Sequence, residues 1–138
     1  MADADLVLSI QVPVAWGEQD LFGHVNNVVY FRYFETVRMH YLERIGILRS
    51  YKEVGHGVIL ASTRCDFRKP IAWPQLLTVH AGTTHIGTTS FTMTYMIHDE
   101  IGEVIAEGTS VQVMYDHRKG TKIPVPVTVR EAIAALRG

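Results

Sequence analysis

Cysteine is nearly absent: Cys65 is the single one in 138 residues, so no internal disulfide can form and no CxxC metal or redox pair exists. An excess of charge of either sign is missing too. Lys+Arg total 13 against 14 for Asp+Glu, a formal net charge of -1, without the basic surplus that a dedicated nucleic-acid binder carries. No apolar run approaches the roughly 18 residues that a membrane helix needs. The start, Met1-Ala2-Asp3-Ala4-Asp5, is acidic where a secretory signal is positive. There is no internal repeat, low-complexity tract or Ser/Gly linker, and no Gly-rich phosphate loop or dinucleotide fingerprint. These absences lead us to expect a soluble cytoplasmic protein with no nucleic-acid or membrane partner and no metal.

What is present suffices for one core. Hydrophobic residues make up 47% of the chain and charged ones 20%, the balance of a folded globular protein. A chain this long buries roughly two-thirds of its unfolded surface, so residues 1–138 are expected to form a single domain.

The order of elements follows from hydrophobic period. Leu6 to Val14 is aliphatic and reads as a strand, followed by a loop from Trp16 to Gly23. From Asn27 to Ile45 the period becomes helical: Phe31, Phe34, Val37, Tyr41 and Ile45 recur on one side, with Arg32, Glu35, Arg38 and Glu43 assigned to other faces. Asn26 or Asn27 can cap the start and Gly46 stops the end. No other long helix is expected. Val58–Arg68, Leu76–Ile86, Ser90–His98 and Val104–Tyr115 read as strands, with Asp99-Glu100-Ile101-Gly102 as a hairpin turn. A short helix from Thr128 to Leu136 follows Pro124-Val125-Pro126. Strands near ten residues exceed the usual mode and favour a sheet that curves around something, for which the apolar helix is the obvious content. The class is α+β with an antiparallel sheet. Nothing in the chain covers both sheet edges or the outer face, so self-association is expected.

The informative stretch runs from Asp20 to Glu35, where a carboxylate, a histidine and a helix start share one loop. A helix start offers free N–H groups and the positive end of the dipole. A thioester carbonyl docked there finds donors near Asn27 and Val28 for its developing oxyanion. Asp20, ionised at neutral pH, can attack that carbonyl or activate a water. Taken alone, Asp20 before Gly23 is also an ordinary turn residue. His24 can orient the loop or a water, or simply pack, and Asn26 and Asn27 suit capping better than reaction.

These residues, with the motif D-x-x-G-H-V-N-N intact from Asp20 to Asn27 and the aromatic Tyr30-Phe31-Arg32-Tyr33-Phe34-Glu35 run behind it, make the chain resemble the 4-hydroxybenzoyl-CoA thioesterase family, in particular its small bacterial acyl-CoA thioesterases. The resemblance implies a hotdog fold, in which a five-stranded antiparallel sheet wraps one long helix. It implies a homodimer or homotetramer with the active site at the subunit interface, and acyl-CoA as substrate. Coenzyme A then enters as part of the substrate and no separate cofactor is implied. The catalytic carboxylate falls on Asp20, and the oxyanion donors on the backbone N–H groups of Asn27 and Val28. Plant acyl-carrier-protein thioesterases share a similar motif with an Asn two positions after the Asp. This chain has Phe22 there, so no role is carried over to it, whereas His24 matches their histidine.

Substrate contacts are expected from Tyr30 and from two basic clusters: Arg64, Arg68 and Lys69, and Arg118 and Lys119 with Lys122 nearby. Solvated charged loops explain the clusters equally well. Tyr33 is a second candidate for the acyl pocket, Glu35 suits a helical ion pair with Arg38 or Arg32, and Cys65 reads as structural. Two other functions compete. A hotdog dehydratase or hydratase also wants a carboxylate and a histidine, but in a D-x-N-P-x-H pattern that this chain lacks. A non-catalytic acyl-CoA-binding module needs an output domain for which there is no spare length.

Overall fold

A long helix with one buried face is the centre of the architecture. In the computed structural model, which describes residues 5–137, helix α1 spans Asn27–Arg44. Met1 to Ala4 of the acidic start lie outside the described residues. Phe34, Val37 and Tyr41 of α1 are completely buried, as their 3–4 residue spacing dictates. Arg38 is the exception to the expected charge pattern. It lies one turn beyond Phe34, which puts it on the buried face at 8% exposure.

The sheet supplies the other wall. Its strands are β1 (Leu8–Pro13), β2 (His56–Phe67), β3 (Leu76–Ile86), β4 (Ser90–His98) and β5 (Val104–Asp116), in the order β1-β3-β4-β5-β2 and antiparallel at every step. Phe91, Met93, Tyr95 and Ile97 of β4 share one face and are completely buried, the period of a pleated strand laid on a helix, and Thr94 and Met96 of the other face are buried too. Tyr95 stacks on Phe34 with ring centres 4.6 Å apart. This curved sheet around one helix is the expected hotdog arrangement.

Over β5, the Phe34 side chain of α1 lies directly against Gly108. A Cβ on Gly108 would collide with the Phe34 ring and lie 2.6 Å from the Arg64 carbonyl oxygen. Glycine is therefore required there by contact on two sides.

Several short elements were not expected. A second helix, α2 (Ile47–Val54), fills the stretch before β2, bounded by Gly46 and Gly55 at φ 85° and 77°. Its eight residues bury only Ile47, although Ile47, Leu48, Tyr51 and Val54 recur at helical spacing over its two turns. Strand β2 begins at His56, two residues ahead of expectation. The two-residue strand β6 (Thr121–Lys122), also not expected, pairs with β5, whereas the expected tail helix, α3, runs Val127–Arg137. Among the described residues no helix is long and apolar enough to cross a membrane.

Strand β2 forms one edge of the sheet, and its residues Ile59 to Arg64 are all exposed. Ile59 and Leu60 are 42% and 44% exposed. A long, partly apolar, unpaired edge is a template for another strand.

Candidate functional site

The loop between β1 and α1 is a small closed structure. Its ends meet at a single bridge between Gln19 and Val25. Inside it, the Asp20 N–H donates to the His24 carbonyl at 2.8 Å, and the Gly23 N–H to the Asp20 carbonyl at 3.1 Å. The Asp20 side chain closes the turn by accepting the Phe22 N–H on Oδ1 at 2.8 Å. Gly23 sits at φ 77°, a conformation that favours glycine. The Asp-x-x-Gly spacing is thus turn chemistry, and it leaves Asp20 Oδ2 outside that bond. Asp20 and His24 are both solvent-exposed, side by side at the mouth of the turn.

Glu18 ties this loop to the helix, a role that sequence reasoning missed. Its carboxylate Oε1 accepts the Ala15 N–H at 2.7 Å and the Tyr33 hydroxyl at 2.9 Å. Its carbonyl accepts the Asn26 N–H at 3.0 Å. Burial, reinforced by the bond to Glu18, pushes the Tyr33 hydroxyl above the usual phenol range, so it stays a donor. Val25, buried, donates its N–H to the Ile71 carbonyl at 2.7 Å and anchors the other side.

At the helix start, Asn26 is the cap: its Oδ1 accepts the Val28 N–H at 3.1 Å. The Val28 N–H, expected as an oxyanion donor, is therefore already engaged by its own cap. The Asn27 N–H has no hydrogen-bond partner among the described residues. One unengaged donor remains at the positive end of α1, next to the Asp20 loop.

A cleft of about 240 Å³ lies between α1 and β2, with Val28, the residue after Asn27, at its end nearest the helix start. Val28 and Phe31 form its near part, and Leu60 and Thr63 the β2 side. Arg32, Glu35 and Arg38 supply charge, and Glu35 reaches Arg38 at 4.0 Å as the expected helical pair. Tyr30 lies in the core instead. It is 3% exposed, packs edge-on against Phe67 at 4.8 Å, and aims its hydroxyl at the Lys69 carbonyl. Burial pushes that hydroxyl up to about 12.

The two basic clusters occupy opposite ends of one strand pair. The register sets His56 against Asp116 and Phe67 against Ala106, so Arg68 and Lys69 lie about 36 Å from Arg118 and Lys119 along the strands. One chain cannot bring both to the same pocket mouth. Arg64 pairs with Asp66 and Arg68 with Glu107, at 3.2 and 3.3 Å. Lys69 is held by Glu103 and by Asp99, the latter at 3.1 Å. These two hydrogen bonds, Glu103 first, raise the Lys69 ammonium above its usual range. Arg118 donates to the Glu53 carbonyl at 3.1 Å, and the Lys119 N–H to Asp116 Oδ1 at 3.0 Å. Lys122 follows in β6, paired with Tyr115. Cys65 is half-buried, and burial, with Asp66 beside it, pushes its thiol up to about 12, the state of a structural residue. Among the described residues no group of three or more His, Cys, Asp or Glu side chains could hold a metal ion.

Comparisons with known proteins agree with this architecture. The profile of the Thioesterase-like superfamily matches residues 14–133. The protein YsmA of Bacillus subtilis (strain 168) is 30% identical over 113 residues, 82% of this chain and 76% of its own. A thioesterase from Thermus thermophilus, solved in complex with coenzyme A and Zn, is 29% identical with a TM-score of 0.86, over 97% of this chain and 96% of that one. A protein from Pseudomonas aeruginosa strain PAO1 is 28% identical with a TM-score of 0.84, over 96% and 92%. With the profile match spanning the Asp20 loop, α1 and all but the first strand, the chain belongs to the Thioesterase-like superfamily.

Proposed function

We propose that the protein is an acyl-CoA thioesterase of the small bacterial type, hydrolysing an acyl-CoA to a free carboxylic acid and CoA. The observation that carries this reading is the unengaged Asn27 N–H at the start of α1, at the end of the loop that carries an exposed Asp20 whose backbone is locked by its own turn. Superfamily membership supplies the reaction class, and the CoA complex of the Thermus relative supports CoA as the carrier.

In this scheme the thioester oxygen accepts the Asn27 N–H while the carbonyl carbon is attacked. Asp20 acts as the nucleophile, giving a mixed anhydride that water then cleaves, or as the base that deprotonates the attacking water. CoA leaves as a thiolate and takes up a proton. His24, adjoining Asp20 across the turn, orients the loop or the water. One oriented backbone donor contributes on the order of 3 kcal/mol to such a transition state. CoA is consumed as part of the substrate, and the scheme uses no separate cofactor. The cationic residues Arg64, Arg68, Lys69, Arg118 and Lys119 are candidates for the CoA phosphates. Because the two groups lie at opposite ends of β2, a single CoA meets both only if a second copy brings its own cluster alongside. That supports a homodimer or homotetramer with a shared site.

Thiol release from a panel of acyl-CoA thioesters tests the assignment. We expect turnover of at least one thioester, a loss of roughly a hundredfold or more in kcat for Asp20→Asn, and a smaller loss for His24→Ala. Undiminished activity in Asp20→Asn would remove Asp20 from the mechanism. No release from any CoA or carrier-protein thioester, with acyl-CoA still bound, would make the protein a binding module instead.

A further inference from the structure

The buried face of α1 carries one cation, held by a chain of core polar groups. Arg38 Nη1 donates to the Tyr95 hydroxyl at 3.2 Å. Tyr95 in turn meets Ser110 Oγ at 2.6 Å, Ser110 donates to Gln112 Oε1, and Gln112 Nε2 donates to the Phe91 carbonyl at 3.2 Å. The last bond fixes the direction of all the others. Gln112 can accept only on Oε1, so the Ser110 hydroxyl points to it, the Tyr95 hydroxyl points to Ser110, and the Tyr95 oxygen is left to accept from Arg38. Tyr95, Ser110 and Gln112 are each at most 1% exposed. Four polar groups in the core hold one guanidinium in one place.

That guanidinium is poorly neutralised. Its one carboxylate partner among the described residues is Glu35 at 4.0 Å, the limit of an ion pair, with a side chain 65% exposed. A buried charge without a close partner is costly. Arg38 also lines the cleft that begins at Val28, the residue after Asn27, and the second cation lining it is Arg32. From Asn27 to Arg38 the helix rises about 16 Å. The side chain leans back toward the helix start, as its contact with Tyr95 beneath Phe34 requires. The guanidinium therefore lies about 10 Å along the axis from the Asn27 N–H.

We propose that Arg38 is the specificity-determining residue at the far end of the acyl cleft, and that the preferred substrate is a thioester whose acyl chain ends in a carboxylate. This rests on the thioesterase reading above. A chain spanning about six to eight bonds between the thioester carbonyl and the carboxylate fills the distance, at roughly 1.2 Å per bond. The distal carboxylate completes the guanidinium's planar fork, which a lysine cannot do in the same way.

The test compares CoA thioesters of unbranched monocarboxylic acids with those of the α,ω-dicarboxylic acids of the same length, from six to ten carbons. Native protein is expected to favour the dicarboxylic member at one or more lengths by at least tenfold in kcat/KM, mostly through KM. Arg38→Met should lower that ratio at least tenfold, and Arg38→Lys should recover part of it. A native preference for the monocarboxylic series overturns the proposal, as does an equal loss on both series in Arg38→Met, which would make Arg38 a packing residue. If Arg38→Met does not fold, the native preference and Arg38→Lys decide. If native protein releases no thiol at all, the thioesterase reading fails separately. Calorimetric binding of the same pairs then decides this inference, which stands only if the dicarboxylic thioester binds tighter and Arg38→Met or Arg38→Lys weakens that difference.

Discussion

A single hydrogen atom sets the gap between α1 and the sheet at Gly108. Gly108→Ala places a methyl group into the Phe34 ring and against the Arg64 carbonyl. Overpacking of this kind costs about 2 kcal/mol, so the midpoint of thermal unfolding should fall by roughly 7 °C. An unchanged midpoint would mean that Phe34 moves aside freely. Cys65 offers a second check at this scale. With its thiol pushed up to about 12 by burial, alkylation at pH 8 should be slow in the folded protein and complete after unfolding. Rapid labelling of native protein would show the thiol to be accessible and partly ionised. Sequence reading reached residues whose partners are close by. The Asp20 turn, the Asn26 cap and the Glu35–Arg38 pair all lie within a few positions. It missed Glu18, whose tie to Tyr33 spans 15 positions, and the setting of Arg38, whose bond to Tyr95 spans 57. Helical spacing did contain the second signal, since Arg38 falls in line with Phe34 and Tyr41.

Helix α1 depends at its start on one side chain. Asn26→Ala frees the Val28 N–H and removes the cap, a loss of about 1 kcal/mol. The unfolding midpoint should fall by about 3 °C. The same change leaves two unengaged donors where there was one, so thioester turnover, if limited by oxyanion stabilisation, should not fall in proportion to stability. A collapse of turnover with little change in midpoint would instead assign Asn26 to the reaction. Among the elements, those long enough to show a period were legible: α1 and β2 to β5 lie within two residues of expectation. Helix α2 and strand β6 were not. Ile47, Leu48, Tyr51 and Val54 do recur at helical spacing in α2, but two turns between glycines are too short for that period to stand out, and the two residues of β6 carry no period at all.

At the scale of the whole molecule, the exposed edge strand β2 is where the proposed self-association can be tested. A lysine placed on that edge puts a solvated charge where a second copy is expected to pack. Ile59→Lys should weaken self-association at least tenfold, read by sedimentation or light scattering over a concentration series. Identical behaviour of native and variant protein would move the interface elsewhere. The class and the curved sheet were readable because four long strands and one apolar helix leave few ways to close a core. How two basic clusters about 36 Å apart along β2 could serve one ligand was not, since that depends on register rather than on composition. The bare edge has one more consequence. The shared site proposed above would make catalysis sensitive to dosage: below the dissociation constant of the assembly, specific activity and thermal stability should decline together on dilution. Such a protein would be silent when scarce and would switch on as its own abundance rises.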